Sequence, residues 1–355
     1  MYITFVLVAK AKEYPVLDRL KLEKLYLDTF AEAAGQIEPI KGGGSDRRVY
    51  RIKTWDRSVI GIAGENRAEN EAFIHFSHHF RNKGLPVPEI YATSLSEGVY
   101  LEEDLGYYTL IDTISKIRKT KGFSEKIVSL YKKVIEWLPH FQIFAGNTLD
   151  YSYCYQHAAF DRDSMLWDLQ YFRHRFLEVF YDKEFDRQLL QKDFNTLVQF
   201  LLQEKRDYFL YRDFQSRNIM IRNNETWFID YQSGRRGALQ YDIASLLYDA
   251  KADIPDQVRQ ELLTHYLDCL EKNIDVDREK FLTYFYGFVF IRIMQAFGAY
   301  GYLATIKGKG HFLRSVPFAI ENIERLLQKQ TILQRLPTLQ KIFTDLTLDK
   351  SLRQF

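Results

Sequence analysis

The chain of 355 residues reads as a two-lobed α+β protein. A small antiparallel lobe of five strands and one helix is followed by a larger, mostly helical lobe. Three observations predict this. Short apolar runs punctuated by glycine and turn residues crowd the N-terminal third. Helical periodicity dominates beyond Gly106. The length is too great for one small core, and 46% hydrophobic residues exclude a disordered chain.

The elements follow in order. Residues 22–34 form a short amphipathic helix with Leu25, Phe30 and Ala33 near one face. Strands are expected at 37–40, 49–53 and 58–62, separated by Gly42-Gly43-Gly44-Ser45 and Trp55-Asp56-Arg57. Residues 67–82 are helical, with Phe73, Phe76 and Phe80 at helical spacing, and Pro86 and Pro88 end that pattern. Two more strands lie at 89–92 and 99–102. Helices are then expected near 109–118, 124–145, 163–181, 187–203, 238–250, 256–270, 278–303 and 316–329. A last helix near 336–346 leads to a frayed polar end. The expected divisions are an extension at 1–21, the small lobe at 22–102, a connection at 103–108, the large lobe at 109–330 and a helical tail at 331–355.

Bulk properties narrow the function. A net charge of +2 argues against a nucleic-acid binder, which needs a basic face. Cys154 and Cys269 have no metal-ligand spacing and point to a reducing compartment. The apolar run at 2–9 is too short for a membrane span and lacks a basic leader. It is expected to be an extra strand, or to follow a start codon placed too early. The apolar run at 288–297 is broken by Arg292. A cytoplasmic protein without a membrane partner is expected, its oligomeric state unread.

The chemistry concentrates in Arg212-Asp213-Phe214-Gln215-Ser216-Arg217-Asn218 and Phe228-Ile229-Asp230. Asp213 follows an apolar run and is placed to accept the proton of an attacking hydroxyl. Asn218 and Asp230 are oxygen ligands suited to Mg²⁺ beside nucleotide phosphates. Strands at 218–221 and 226–229, turned at Asn223-Asn224, bring Asp230 back toward the loop. Asp242 opens a helix, where an Asp caps free backbone N–H groups.

With Asp230-Tyr231-Gln232-Ser233-Gly234 and Tyr241-Asp242-Ile243-Ala244-Ser245-Leu246-Leu247, this segment resembles the catalytic core of the aminoglycoside phosphotransferase and choline kinase superfamily, relatives of the protein kinases. It reads most like the cell-wall-recycling kinases that phosphorylate the anomeric hydroxyl of N-acetylmuramate or N-acetylglucosamine. The resemblance spans residues 30–330 and implies a protein-kinase-like fold with ATP and Mg²⁺. It also implies that the lobe at 22–102 binds the nucleotide and that Asp242 supports the catalytic loop. Tyr211 stands where the family has His.

Arg217 precedes the metal-binding Asn as in sugar and tyrosine kinases, where it reaches the transferring phosphoryl; the alternative is a loop salt bridge. Gly43, Gly44 and Ser45 suit phosphate binding by backbone amides, or form a plain flexible turn. The third strand lacks the kinase lysine, so Arg47 or Arg48, oriented by Glu69 or Glu71, is expected to hold the phosphates. The segment 101–106 resembles the family's hinge, with adenine on the backbone at Glu103 and Leu105. For a sugar acceptor, Asp161, Trp167, Arg292 and Gln295 have suitable chemistry, against the alternative that such helical aromatic stripes are core. Alternative functions are another small-molecule kinase of this fold, acting on an aminoglycoside, a choline-like or another sugar substrate, or a non-catalytic nucleotide-binding module.

Overall fold

The computed structural model describes residues 2–40, 46–327 and 331–355. Its elements run α1 (Tyr2–Phe30), β1 (Gln36–Ile40), β2 (Arg48–Lys53), β3 (Ser58–Ala63), α2 (Arg67–Asn82), β4 (Ile90–Ser94), β5 (Val99–Glu103), α3 (Leu110–Lys121), α4 (Glu125–Pro139), α5 (Arg162–Phe172), α6 (Glu178–Phe180) and α7 (Arg187–Leu201). Then come β6 (Tyr208–Leu210), β7 (Ile219–Arg222), β8 (Glu225–Phe228), β9 (Arg235–Gly237), α8 (Leu239–Leu247), α9 (Asp256–Glu271), α10 (Arg278–Thr305), α11 (Val316–Leu327) and α12 (Pro337–Leu348). The chain forms two compact units, Met1–Tyr107 with Met220–Gln232, and Tyr108–Ile219 with Ser233–Phe355.

In the first unit the strands pair antiparallel in the order β1-β2-β3-β5-β4. Alternation puts Ile52, Val59, Val99 and Leu101 on one face, where they bury Leu22 and Tyr26 of α1. Gly61 permits that approach, since a Cβ there would lie 2.8 Å from a Leu22 methyl. The helix expected from residue 22 therefore starts earlier, at Tyr2. The strand expected at 2–9 is part of it, because a continuous apolar run does not distinguish strand from helix by periodicity. Asn66 caps α2 by accepting the Glu69 N–H. The β7–β8 hairpin turns on Asn223 and Asn224 at φ 53° and 64°, the left-handed pair of a type I′ turn. The Phe228 N–H donates to the Pro86 carbonyl, and the Tyr231 ring stacks on Phe73 at 4.9 Å.

The second unit is built around α10, whose Phe288, Val289, Ile291, Met294 and Phe297 are buried. The helix is long and apolar enough to cross a membrane by length and composition, yet 67% of its apolar window is buried, as a core helix requires. The helix expected at 163–181 is interrupted by a π-helical turn at Arg173–Leu177. The pair β6–β9 is a two-stranded ladder. Its second strand, Arg235-Arg236-Gly237, carries no apolar signal and was not expected. The end of the chain is not frayed: Leu352 is buried and Arg353 pairs with Glu324 at 2.7 Å.

Candidate active site

The loop after β6 is held from three directions. The Asp213 N–H donates to the Tyr211 carbonyl across Arg212, whose φ is 79°. That is a γ-turn with a left-handed central residue, a strained conformation that persists only when its surroundings impose it. Asp242 imposes it by accepting the N–H of Tyr211 at 2.8 Å and of Arg212 at 3.0 Å. Asp242 thus braces the loop and does not cap α8, whose N-cap is Ala238. Burial pushes its carboxyl up to about 7, with these hydrogen bonds opposing. The Arg212 side chain forks onto the buried Asp168 at 2.5 and 2.7 Å and donates to Tyr241. Tyr211 packs edge-on against Phe141 and Phe214.

On this loop Gln215 Nε2 donates to Asp213 Oδ1 at 3.2 Å. Asn218 Nδ2 donates to the Asp213 carbonyl at 2.9 Å, which turns its amide oxygen the other way. The Ser216 N–H donates to Asp249 at 3.3 Å. Arg217 is exposed and, among the described residues, makes no ion pair within 4 Å; the loop salt bridge is not formed, although Asp249 attracts it electrostatically.

The first unit gathers a second cluster. Asp230 follows β8 at φ 70°. Its Oδ1 accepts from Arg47 at 2.8 Å and from Gln232 at 2.9 Å. Arg47 also pairs with Glu69 at 3.3 Å, donates to the Tyr100 hydroxyl at 3.2 Å and lies over the Phe73 ring at 5.5 Å. Arg48 goes elsewhere, forking onto Asp18 of α1 at 2.5 and 3.0 Å. Glu71 pairs with Arg67. Of the two loop arginines only Arg47 therefore meets the acidic cluster. Gly43, Gly44 and Ser45 lie outside the described residues. Glu102 is a carboxylate that follows the apolar run Val99-Tyr100-Leu101 within β5, a signal it shares with Glu103. Its Oε2 is buried without a hydrogen-bond partner, and burial, relieved in part by Arg47, pushes it up to about 8.

In the segment after β5, Asp104 is tied to its neighbours. Despite burial, Asp104 is held below its ordinary value by a fork from Arg51 at 2.7 and 2.8 Å, the Ser58 hydroxyl and the Gly106 N–H. The Glu103 N–H is engaged by the Glu89 carbonyl at 2.8 Å, so it is not available as a donor to adenine, and its side chain pairs with Arg222. Leu105 is buried.

Of the four acceptor candidates, Arg292 and Gln295 come together at 2.7 Å. Arg292 lines a cavity of about 10 Å³ with Gln215, Ser245, Asp249 and Tyr300, which sequence reasoning did not select. Asp161 is the N-cap of α5, and Trp167 is exposed, stacked on Tyr171 at 4.9 Å. The oxygens of Asn218 and Asp230 are hard donors of the kind Mg²⁺ takes when phosphates complete its shell.

A model of the phosphotransferase enzyme family matches residues 36–282. The N-acetylmuramate/N-acetylglucosamine kinase of Pseudomonas aeruginosa is 25% identical over 246 residues, 66% of this chain and 68% of that protein. That of Neisseria meningitidis serogroup B is 31% identical over 110 residues, 30% of this chain and 33% of that protein. Among solved structures, the choline kinase LicA of Streptococcus pneumoniae superposes with a TM-score of 0.57 at 15% identity, over 86% of this chain and 99% of that one. A spectinomycin phosphotransferase gives 0.57 at 12% identity, over 92% and 98%. The two-lobed kinase-like fold is common to both. On the match over residues 36–282, the chain belongs to the phosphotransferase enzyme family and is a small-molecule kinase that phosphorylates a hydroxyl group.

Proposed function

We propose that the chain transfers the γ-phosphate of ATP to the anomeric hydroxyl of N-acetylmuramate or N-acetylglucosamine. The observation that carries the catalytic part is Asp213, presented on a γ-turn that Asp242 and Asp168 hold through its neighbours. The acceptor class is supported by the two named relatives.

In this reading Asp213 accepts the hydroxyl proton, with Gln215 fixing the carboxylate that receives it. An anomeric hydroxyl is more acidic than an ordinary alcohol, so a carboxylate is an adequate base. Asn218 and Asp230 would hold Mg²⁺, which neutralises charge on the phosphates when bound. Arg47 takes the role of the absent strand lysine, with Glu69 orienting it as a helix glutamate orients that lysine. Arg217, exposed and outside any close ion pair among the described residues, reaches the transferring phosphoryl in this reading. The Arg292–Gln295 pair and Gln215 contribute to the acceptor pocket. Leu105 and the carbonyl of Glu103 face adenine. The divisions at 22–102 and 109–330 are the nucleotide and acceptor lobes, and the protein works in the cytoplasm.

The test is a panel of N-acetylated amino sugars, plain hexoses, choline and aminoglycosides incubated with γ-labelled ATP and Mg²⁺. Acid-labile anomeric phosphate on N-acetylmuramate or N-acetylglucosamine is expected. Turnover of choline or an aminoglycoside in its place refutes the acceptor. No turnover of any acceptor refutes the enzyme.

A further inference from the structure

Asp242 holds the catalytic loop, and a side chain with no part in the proposed reaction holds Asp242. The helix α4 ends at Pro139 and passes into a π-helical turn, His140–Ala145, a conformation frequent at functional sites. The turn packs against β6: a Cβ on Gly146, which follows it, would lie 2.8 Å from the Phe209 Cβ. Its Gln142 is fully buried. Gln142 Nε2 donates to the Leu239 carbonyl at 3.2 Å and to Asp242 Oδ2 at 3.3 Å. Gln142 Oε1 accepts from the buried Tyr266 hydroxyl of α9.

These partners fix the amide. With its ends exchanged, the Gln142 oxygen would face a carbonyl and a carboxylate, both acceptors. Gln142 therefore stands toward Asp242 as a donor only. Asp242 receives three N–H groups, from Tyr211, Arg212 and Gln142, and among the described residues meets no acceptor for a proton of its own. That setting favours the charged carboxylate. Burial works against it and pushes the carboxyl up to about 7; the three donors oppose burial, and Asp213 on the loop adds to it. The charged side chains around it give no relief. Arg212 turns its guanidinium to Asp168 and Tyr241, and Arg292 of α10 donates to Ser245. Burial pushes the Tyr266 phenol well above its ordinary value. Two of the three donors belong to the loop that Asp242 braces. Gln142 supplies the third, from outside that loop.

We propose that Gln142 is a positioning residue for catalysis: by donating to Asp242 it keeps that carboxylate ionised, and so keeps closed the γ-turn that presents Asp213. Hydrogen bonds to an ionised acceptor are about twice as strong as neutral ones, so a protonated Asp242 holds the two loop N–H groups more weakly. The role of Asp213 as base is the one proposed above, and the first measurement below is independent of it.

Gln142→Met keeps the length of the side chain and removes the donor. Urea midpoints of the full chain with Gln142 and with Met are compared from pH 6 to pH 9, alone and in the Asp242→Asn background. Losing a donor to the charged form raises the folded-state pKa of Asp242 further above its unfolded value. The stability gap between the two proteins should therefore widen as pH rises and Asp242 ionises, and stay constant in the Asp242→Asn background. Glu102 titrates in both proteins and cancels. The second measurement is kcat with N-acetylglucosamine over the same range. For a rise of about one pH unit from about 7, Gln142→Met should lose about fivefold at pH 7 and return to within about twofold of wild type at pH 9. A side chain that only packs would lose the same factor at every pH. A gap that does not change with pH, or a loss of kcat independent of pH, overturns the proposal. Should Gln142→Met fail to fold, Tyr266→Phe, which leaves Gln142 Oε1 without its donor, must show a smaller widening of the same sign, and a flat gap there overturns it. Near-normal turnover by Asp213→Asn, or none by the wild type, counts against the proposed function, whereas a flat gap counts against Gln142.

Discussion

Replacing Arg47 by Ala tests both what holds the first unit's acidic cluster together and what replaces the missing lysine. Arg47 faces Asp230 at 2.8 Å and Glu69 at 3.3 Å. With an effective dielectric near 20, those distances correspond to about 6 and about 5 kcal/mol of gross attraction. Desolvating a buried guanidinium cancels several kcal/mol per ion, so the gross sum is not the net. Removing one partner of a buried pair leaves the others uncompensated, at a cost of about 3–5 kcal/mol. Here Glu69, Asp230 and Glu102 would remain without their shared cation.

If Arg47 also clamps the phosphates, a second loss follows. One well-placed donor to a developing anion is worth about 10²–10³ in rate, or about 2.7–4 kcal/mol. The assay varies ATP at saturating sugar in a coupled ADP-release measurement, beside a urea titration of each variant. Arg47→Ala is expected to lower kcat/KM for ATP by about 10²–10³ while KM for the sugar changes little. Arg47→Lys should recover part of it, because the charge returns without the fork. The reasoning fails if folded Arg47→Ala keeps kcat/KM for ATP within about threefold of wild type. In that case Arg47 only neutralises carboxylates, and Arg217 with the metal must hold the phosphates.

Three further outcomes are expected. Asp213→Asn should keep fold and nucleotide affinity and lose about 10²–10⁴ in kcat, and near-normal turnover would remove it as the base. Asp230→Ala should abolish the Mg²⁺ dependence of ATP affinity in calorimetry, and equal dependence in wild type and variant contradicts its role. Glu102 makes stability depend on pH. Its carboxyl is raised from 4.5 in the unfolded chain to about 8, so between those values the folded state binds more protons and stability falls as pH rises. Glu102→Gln should flatten the urea midpoint between pH 5 and 8, removing a slope worth on the order of a few kcal/mol. An unchanged slope rules out that burial penalty.

What was legible in the sequence had local causes. The β7–β8 turn follows from two asparagines, which tolerate left-handed φ better than other side chains. The five strands, though not their order, could be placed from short apolar runs, and α2 from its phenylalanines. What stayed hidden is set by partners far away along the chain. Arg47 and Asp230 are 183 residues apart, Arg212 and Asp168 are 44 apart, and Arg212 and Asp242 are 30 apart. No local pattern separates Arg47 from Arg48, yet one enters the acidic cluster and the other is tied to α1.

The same distinction separates the two readings of Asp242, the helix cap its local sequence suggests and the loop support the resemblance implies, of which the loop support is found. Its position in the first turn of α8 favours a carboxylate toward the free N–H groups of that helix. The strained loop presents two N–H groups that have no ladder to join, at 2.8 and 3.0 Å from the two carboxylate oxygens. Helix-end donors can turn to water, whereas buried loop donors cannot, so the larger penalty decides where the carboxylate goes. The loop that carries Asp213 is therefore held by an acid whose local sequence context advertises a different task. Asp242→Asn is the discriminating substitution. It keeps one oxygen but supplies an N–H₂ where an acceptor is needed, so one loop N–H loses its partner. Because the strained turn is released together with Asp213, kcat should fall by more than KM for ATP rises. A variant with normal kcat would show that the γ-turn persists without Asp242 and that catalysis does not depend on the brace.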